Sequence, residues 1–240
     1  MFEKLKCNSI CICNQSVLTL YASGRKTGIV VESGEGLTNV VPIIDGFAKK
    51  EAVASTKFAG NSVTNYLATL LKENGKNLDE KSLKYVKEKL GLVALESGQF
   101  ENYPGPDVAY TLPDGTAISL GVERFKCAEA IFNPSLAGSS DDSINDLFSK
   151  SVSSLDDELK STLYKNIVVA GGNTMFPNFI ERFEMSLPKS TEFKVWALVD
   201  RIIPSWIGGS ILGSLEDFKN LSIYKKEYDD KGTSIVEKLK

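Results

Sequence analysis

The chain has 240 residues, of which 42% are hydrophobic and 25% charged, as in ordinary globular proteins. Its 28 basic and 31 acidic residues give a formal net charge of −3, so we expect no nucleic-acid surface. No apolar run reaches the roughly 18 residues that would cross a membrane. Because the sequence contains no histidine, a histidine-based catalytic triad and a histidine-ligated metal are excluded.

Four cysteines leave a metal site and free thiols as alternatives. Cys7, Cys11 and Cys13 lie near the N-terminus, whereas Cys127 is far away in the sequence. Without histidine to complete a ligand set, zinc is disfavoured, and reduced thiols of a cytosolic protein are favoured. Asparagine and glutamine interrupt the apolar N-terminal segment, which is therefore not typical of a signal peptide, and we expect a cytoplasmic protein.

Apolar periodicity and turn residues divide the chain into alternating strands and helices. The predicted strands cover residues 5–13, 28–33, 37–44, 108–120 (as a hairpin), 167–170 and 192–198. The predicted helices cover 14–24, 59–75, 79–95, 122–132, two segments that begin near 142 and 173, and 205–218, with loops at 101–107 and 222–232. Gly24 and Gly75 are expected to end two helices, and Asn61 or Ser62 to cap one. The alternation predicts an α/β protein.

The first informative turn lies within GIVVESGEG, residues 28–36. Gly34 and Gly36 would let backbone amides surround an anion, while Glu32 and Glu35 would attract a cation. Phosphate together with a divalent metal would satisfy both requirements. A polar hairpin turn without any ligand is the alternative.

The second informative turn follows the apolar strand predicted at residues 167–170. Gly171 and Gly172 lead into a helix that we expect to begin near Asn173 or Thr174. Amides at a helix start bind phosphate or carboxylate without help from basic side chains. Glycines also permit close packing between a strand and a helix, so this pattern alone leaves both interpretations open.

Four segments resemble the actin family and occur in the family's order. They are LYASGRKTGIVVESGEG, LPDGTAISLGVERFKCAEAIFNPSLAG, NIVVAGGNTMFPNFIERF and WIGGSILGSL, the last followed by KKEYDDKGTSIV. The resemblance extends over residues 1–240. It implies the α/β ATPase fold that actins share with heat-shock ATPases, in which ATP and Mg²⁺ bind in a cleft between two halves.

The resemblance also implies that part of this fold is not encoded in the 240 residues. In an actin, an Asp-Asn-Gly-Ser-Gly turn, the first of two phosphate loops, precedes the segment that Met1 matches. Losing three or four charge-assisted hydrogen bonds from that loop would weaken ATP binding by roughly 5–10 kcal/mol. We expect a complete larger half over 28–203, made of subdomain 3 (28–58 and 139–203) and subdomain 4 (59–138), with 1–27 and 204–240 as remnants of subdomain 1.

Several residues match family positions that contact nucleotide or metal. Gln15 matches the glutamine that orients the attacking water, and Glu32 stands where an aspartate holds the metal through water. Lys87 and Glu88 match residues that reach the ribose and base, although their pattern alone is typical of a solvated helix face. The remaining matches lie in the phosphate and base-side loops and are Gly34, Glu35, Gly36, Gly171, Gly172, Thr174, Met175 and Phe176.

Five matched positions depart from the family pattern. Glu32 and Glu35 replace aspartates, and the extra methylene moves the carboxylate by about an ångström, which matters for octahedral Mg²⁺. Asn39 replaces a histidine near the attacking water, Ile202 replaces a lysine beside the adenine, and Phe176 lacks a tyrosine hydroxyl. We therefore expect weak ATP binding and no efficient hydrolysis by this chain.

The resemblance further implies an apolar cleft that receives partner helices and, in filaments, a loop of the neighbouring subunit. The matching residues are Tyr21, Gly24, Gly46, Ile211, Leu212 and Leu215. Alternatively, these residues only pack the remnant of the smaller half. Because the inserted loop belongs to the segment outside these residues, we expect filament capping or poor co-assembly rather than free polymerisation.

Three functions remain open from the sequence. The first is an actin-like cytoskeletal protein that binds other actins or actin-binding proteins, without nucleic-acid or membrane partners. The second is a working ATPase, which would need a longer native product or a sufficient remaining half. The third is a fragment without independent function, whose uncovered apolar surface would favour aggregation.

Overall fold

The computed structural model describes residues 1–99, 105–189, 191–216 and 218–239. The helices are α1 (Phe2–Leu5), α2 (Gln15–Ala22), α3 (Gly60–Glu73), α4 (Glu80–Leu90), α5 (Glu123–Glu129), α6 (Ile144–Ser153), α7 (Asp157–Tyr164), α8 (Phe179–Ser186), α9 (Pro204–Ser214), α10 (Phe218–Leu221) and α11 (Lys225–Lys231). The strands are β1 (Ser9–Ile10), β2 (Gly28–Ser33), β3 (Thr38–Ile44), β4 (Phe47–Ala48), β5 (Ala54–Thr56), β6 (Val108–Thr111), β7 (Ala117–Leu120), β8 (Ile167–Ala170), β9 (Val195–Ala197) and β10 (Ile223–Tyr224). Short 3₁₀ helices cover Lys50–Ala52, Pro134–Ala137, Gly172–Met175 and Gly232–Leu239. Residues 101–104 of the predicted loop at 101–107 lie outside the described part of the chain.

A mixed sheet of six strands lies at the centre of the fold. Its order is β4-β3-β2-β8-β9, and β5 also pairs with β3. β2 and β3 form the predicted antiparallel hairpin, with Gly28 opposite Ile43 and Ser33 opposite Thr38. β8 runs parallel to β2, and β9 runs parallel to β8. The carboxyl ends of β2, β8 and β9 therefore meet at one edge of the sheet.

Helices cover both faces of the sheet, and the two-residue period of β2 decides which face each side chain meets. Ile29 and Val31 point into the larger core with residues of α3 to α8. Val30 points to the opposite face, where Val17 and Leu20 of α2 pack. All six residues of β2 are buried, as expected of a strand covered on both sides. The predicted α/β class is confirmed.

A second group of elements packs beside the sheet. β6 and β7 form the predicted hairpin at residues 108–120, closed by a hydrogen bond from the Leu112 amide to the Thr116 carbonyl at 2.8 Å. The helix predicted at residues 59–75 corresponds to α3, which carries an apolar stripe at helical spacing. Its members Val63, Leu67, Leu70 and Leu71 are buried in the larger core, and Tyr66 packs against it.

The N-terminal segment differs from the strand predicted over residues 5–13. It forms α1, which ends at Lys6 with φ 54°, and then only two strand residues, Ser9 and Ile10. These pair with Tyr224 and Ile223. The apolar composition is typical of a strand, but the partner strand β10 has only two residues before the chain enters α11, and one further hydrogen bond, from the Lys225 amide to the Asn8 carbonyl at 2.9 Å, ends the pairing.

The loop predicted at residues 222–232 is wrong, because this segment contains β10 and α11. At the start of α11, Glu227 Oε2 accepts a hydrogen bond from the Tyr224 amide at 2.9 Å. Lys225 Nζ pairs with Asp229 one turn later at 2.8 Å, an i, i+4 pair that supports a short helix. Both signals are present in the sequence and favour a helix.

Neither Asn61 nor Ser62 caps α3, which begins one residue earlier, at Gly60. The Gly60 amide donates to the Gly34 carbonyl at 2.9 Å, and the Asn61 amide donates to the Glu35 carbonyl at 2.8 Å. Main-chain carbonyls of the first glycine turn thus satisfy amides that a side-chain cap would otherwise serve. These two hydrogen bonds attach the first glycine turn to the start of α3.

The segment after β8 also differs from the prediction of a helix beginning near Asn173. A 3₁₀ helix over Gly172–Met175 comes first, and α8 begins at Phe179. Between them, Phe176 has extended backbone (φ −53°, ψ 132°). Pro177 explains this conformation, because a proline disfavours helical backbone at the residue before it.

Candidate functional site

The two glycine turns, which the sequence presents more than 130 residues apart, meet at the carboxyl edge of the sheet. Asn173 joins them: its Nδ2 donates to Ser33 Oγ at 2.9 Å and to the Gly34 carbonyl at 2.8 Å. The Asn173 side chain is buried. The turn at residues 34–37 and the 3₁₀ helix after β8 therefore form one continuous wall.

The two glycines after β8 have different surroundings. Gly171 has φ 96° and ψ 155°, and a Cβ at this residue would lie 2.2 Å from the Ser33 carbonyl oxygen. A Cβ at Gly172 would meet nothing within 4 Å. Gly171 is thus required by close packing of the main chain, whereas Gly172 borders open space.

Glu32 faces α2, where three polar side chains surround its carboxylate. Ser16 Oγ and Thr19 Oγ1 each donate to one carboxylate oxygen at 2.6 Å, and Gln15 Nε2 donates at 3.5 Å. Asn14 positions them, because its side chain caps the helix by accepting from the Ser16 amide at 2.9 Å. The structure therefore places Gln15 beside Glu32, with both carboxylate oxygens already hydrogen-bonded within the chain.

Glu35 lies between two lysines of α4. Its carboxylate is 3.2 Å from Lys84 Nζ and 3.3 Å from Lys87 Nζ. Partial burial alone would raise the pKa of Glu35, but Lys87 and Lys84 outweigh it and hold that pKa below its usual value. Lys87 is buried and also donates to the Gly60 carbonyl at 3.1 Å, whereas Glu88 is exposed on the same helix.

One amide of the first glycine turn is hydrogen-bonded within the turn itself. Gly34 donates to the Leu37 carbonyl at 3.0 Å, closing the hairpin. A Cβ at Gly36 would meet nothing within 4 Å. The Gly34 amide is thus engaged within the hairpin, and Gly36 borders open space.

A cleft of about 290 Å³ lies at this edge of the sheet. It brings together six of the predicted site residues and the two departures at Asn39 and Ile202. Its lining is Gln15, Glu32, Gly34, Glu35, Gly36, Leu37, Asn39, Gly171, Ile202, Pro204 and Ser205.

The other predicted residues lie outside the lining of this cleft. Thr174 is fully buried and donates to the Gly171 carbonyl at 2.7 Å. Phe176 is buried against Gly91, which follows α4. A Cβ added to Gly91 would lie 2.5 Å from the Phe176 ring. Met175 is 39% exposed. Of the residues predicted for the base side, Met175, Gly172 and Glu88 thus remain accessible.

Sequence reasoning missed the residues that hold these groups in place. Ser16 and Thr19 share one face of α2 at an i, i+3 spacing, which was a readable signal once Glu32 was singled out. Arg201 had no such signal. Its guanidinium donates to the Thr174 carbonyl at 3.1 Å, and its own carbonyl accepts from the Gly171 amide at 2.7 Å.

The predicted partner cleft divides between buried and exposed residues. Tyr21 packs on the sheet. Its hydroxyl lies close to Gly46, and a Cβ added to Gly46 would be 2.4 Å from that hydroxyl oxygen. Leu212 is buried, but Ile211 is 40% and Leu215 51% exposed on α9. Gly24 is exposed and ends α2 with φ 73°.

Two further findings concern the part of the chain that the structure describes. Within it, no group of three or more cysteine or acidic residues is arranged to hold a metal ion. No helix among these residues has the length and apolar character to cross a membrane.

Glycine turns at the carboxyl ends of neighbouring parallel strands are typical of nucleotide-binding α/β proteins. The family model described as Actin matches residues 1–81 and 75–239. The chain therefore belongs to the actin family. Proteins of this family generally bind ATP with a divalent metal and are typically cytoskeletal.

Proposed function

We propose that this actin-family chain acts in the cytoskeleton by binding other actins or actin-binding proteins through α9, rather than as an efficient ATPase. The observation that carries the proposal is the surface of α9. Its sequence, PSWIGGSILGS, contains no charged residue, yet Trp206 is 72% and Ile211 40% exposed, and Leu215 just beyond its end is 51% exposed. Exposed apolar side chains on an uncharged helix form an apolar patch, and such patches mark interaction sites.

The chemistry of this face favours apolar segments of a partner. An amphipathic helix would place its anchors against Ile211 and Leu215, which lie four residues apart at the C-terminal end of α9. Because α9 carries no charge, the affinity should depend little on salt concentration.

Lysine at Ile211 or Leu215 is expected to weaken binding to filaments of a complete actin at least tenfold. Each apolar anchor contributes about 1.5–3 kcal/mol when buried, and every 1.4 kcal/mol is about tenfold in affinity. Co-sedimentation and filament elongation measure the effect. Met185→Lys, at a 55% exposed residue of α8, is the matched control and should bind normally. Absence of any effect of the unmodified chain on pelleting or elongation would contradict the proposal.

We further infer that nucleotide contacts this chain mainly on its base side. Glu88, Gly172 and Met175 border accessible space there, where they could contact the nucleoside. On the phosphate side, the carboxylates of Glu32 and Glu35 already have partners in α2 and α4, so we expect them to contribute little to binding of the metal and phosphates. In this proposal, 28–58 and 139–203 form subdomain 3, 59–138 forms subdomain 4, and 1–27 with 204–240 belongs to subdomain 1.

Adenosine and MgATP are therefore both expected to bind weakly. Their affinities should differ by no more than about tenfold, because a tenfold difference corresponds to about 1.4 kcal/mol and we expect the phosphates to contribute less than that. Equilibrium titration of the full chain with each ligand measures this. MgATP binding at micromolar concentration or below, with hydrolysis, would instead support the working ATPase. An intact mass of the native product above 26.2 kDa would support the longer-product alternative.

A further inference from the structure

Two cysteine side chains touch in the short connection between β1 and α2. Cys11 Sγ and Cys13 Sγ are 3.5 Å apart. The two residues are only two positions apart in a segment that is neither helix nor strand. Both cysteines are half-buried, and Ile12 between them is 67% exposed, so small molecules in solution can reach the pair.

The pair differs from the other cysteines and from a metal centre. Cys127 is fully buried, and burial raises its pKa to about 12, so it is inert. Cys7 is half-buried but four residues away from Cys11. The described residues hold no cluster of three metal-ligating side chains, and the two sulfurs in contact have the chemistry of a dithiol.

We propose that Cys11 and Cys13 form a reversible modification site, which a low-molecular-weight disulfide of the glutathione type converts into an intramolecular disulfide. Such an oxidant carries two sulfurs at the disulfide level and fits a partly exposed dithiol. The nucleotide cleft and the α9 face take no part in this reaction.

The reaction proceeds by two thiol–disulfide exchanges. The Cys11 thiolate attacks one sulfur of oxidised glutathione, forms a mixed disulfide and releases one glutathione thiolate. The Cys13 thiolate then attacks Cys11 Sγ, forms the Cys11–Cys13 bond and releases the second glutathione thiolate. The protein loses two electrons and two thiol protons, and the glutathione pair gains them as two thiols.

The surroundings of Cys13 favour this order. Burial, followed by the hydrogen bond and charge of Cys11, raises the pKa of Cys13 to about 11, so Cys13 is a thiol at neutral pH. Once Cys11 is joined to glutathione, its charge no longer opposes ionisation of Cys13. Because partly exposed disulfides are readily reduced, dithiothreitol should restore both thiols.

The test treats the full chain with oxidised glutathione, alkylates the remaining thiols and examines the tryptic peptide of residues 7–25 by tandem mass spectrometry. The unmodified chain should lose two hydrogens between Cys11 and Cys13 and retain an alkylated Cys7. Cys13→Ser should instead carry one glutathione on Cys11. Cys11→Ser should form no intramolecular disulfide.

Cys7→Ser is the matched control, and its Cys11–Cys13 disulfide should form as in the unmodified chain. A disulfide that persists in Cys11→Ser or Cys13→Ser would assign the reaction to Cys7 and overturn the proposal. A stable glutathione adduct, or no change at all, on the unmodified chain would overturn it equally. Circular dichroism confirms that each variant is folded before oxidation.

Discussion

Alanine at Gly171 is expected to lower the free energy of unfolding by about 3 kcal/mol or more. Two causes act together. With φ 96° and ψ 155°, Gly171 lies in a region of backbone space that is essentially restricted to glycine, at a cost of order 1–3 kcal/mol for other residues. In addition, the new methyl group would lie 2.2 Å from the Ser33 carbonyl oxygen, so β2 and β8 must separate.

Gly172→Ala provides the matched control, because the same methyl group would meet nothing within 4 Å at the next residue. We expect its stability to stay within about 0.5 kcal/mol of the unmodified chain, as for most open surface positions. Urea denaturation followed by circular dichroism measures both variants. Equal stabilities of the two would show that the close approach of Gly171 to Ser33 is not a constraint of the fold.

Alanine at Gly208 is expected to lower the free energy of unfolding by about 1–3 kcal/mol. α9 crosses α2 at this residue, and a Cβ would lie 1.8 Å from the Leu18 carbonyl oxygen. That oxygen is main chain and cannot rotate away, so the helices must move apart. The shift would expose Leu212 and weaken the contact that holds α9 on α2.

At the neighbouring Gly209, alanine should instead raise the free energy of unfolding. Its Cβ would lie 3.8 Å from Leu18 Cδ1, an ordinary contact, and alanine is favoured over glycine inside a helix by up to about 1 kcal/mol. Thermal and urea unfolding of Gly208→Ala and Gly209→Ala, measured side by side, test both expectations. Stabilisation by both substitutions would mean that α9 does not cross α2 at Gly208.

Local features of the fold could be predicted from the sequence. The strand at residues 167–170 and the hairpin at 28–44 agree closely with β8, β2 and β3, because their apolar runs are bounded by turn residues. The start of α3 could not be predicted in this way. Its amides are satisfied by carbonyls of residues 34 and 35, and such tertiary contacts leave no local signal.

The candidate site could likewise be predicted from the sequence only in part. Resemblance selected Glu32 and Lys87 as residues that face metal and nucleotide, and those assignments stay predictions. The structure adds their present partners: Ser16 and Thr19 bind Glu32, and Glu35 binds Lys87. These contacts depend on how α2 and α4 pack against the first turn, which residue type and spacing do not determine.

The parallel pairing of β2 with β8 has a consequence for the protein while it is being synthesised. The β2–β3 hairpin is complete once residue 44 has left the ribosome, but β8 follows only about 120 residues later. At about 5–20 residues per second, the apolar edge of β2 stays unpaired for roughly 6–25 s. An open strand edge is a template for pairing with other chains, so this interval is the time in which the nascent polypeptide is most exposed to aggregation.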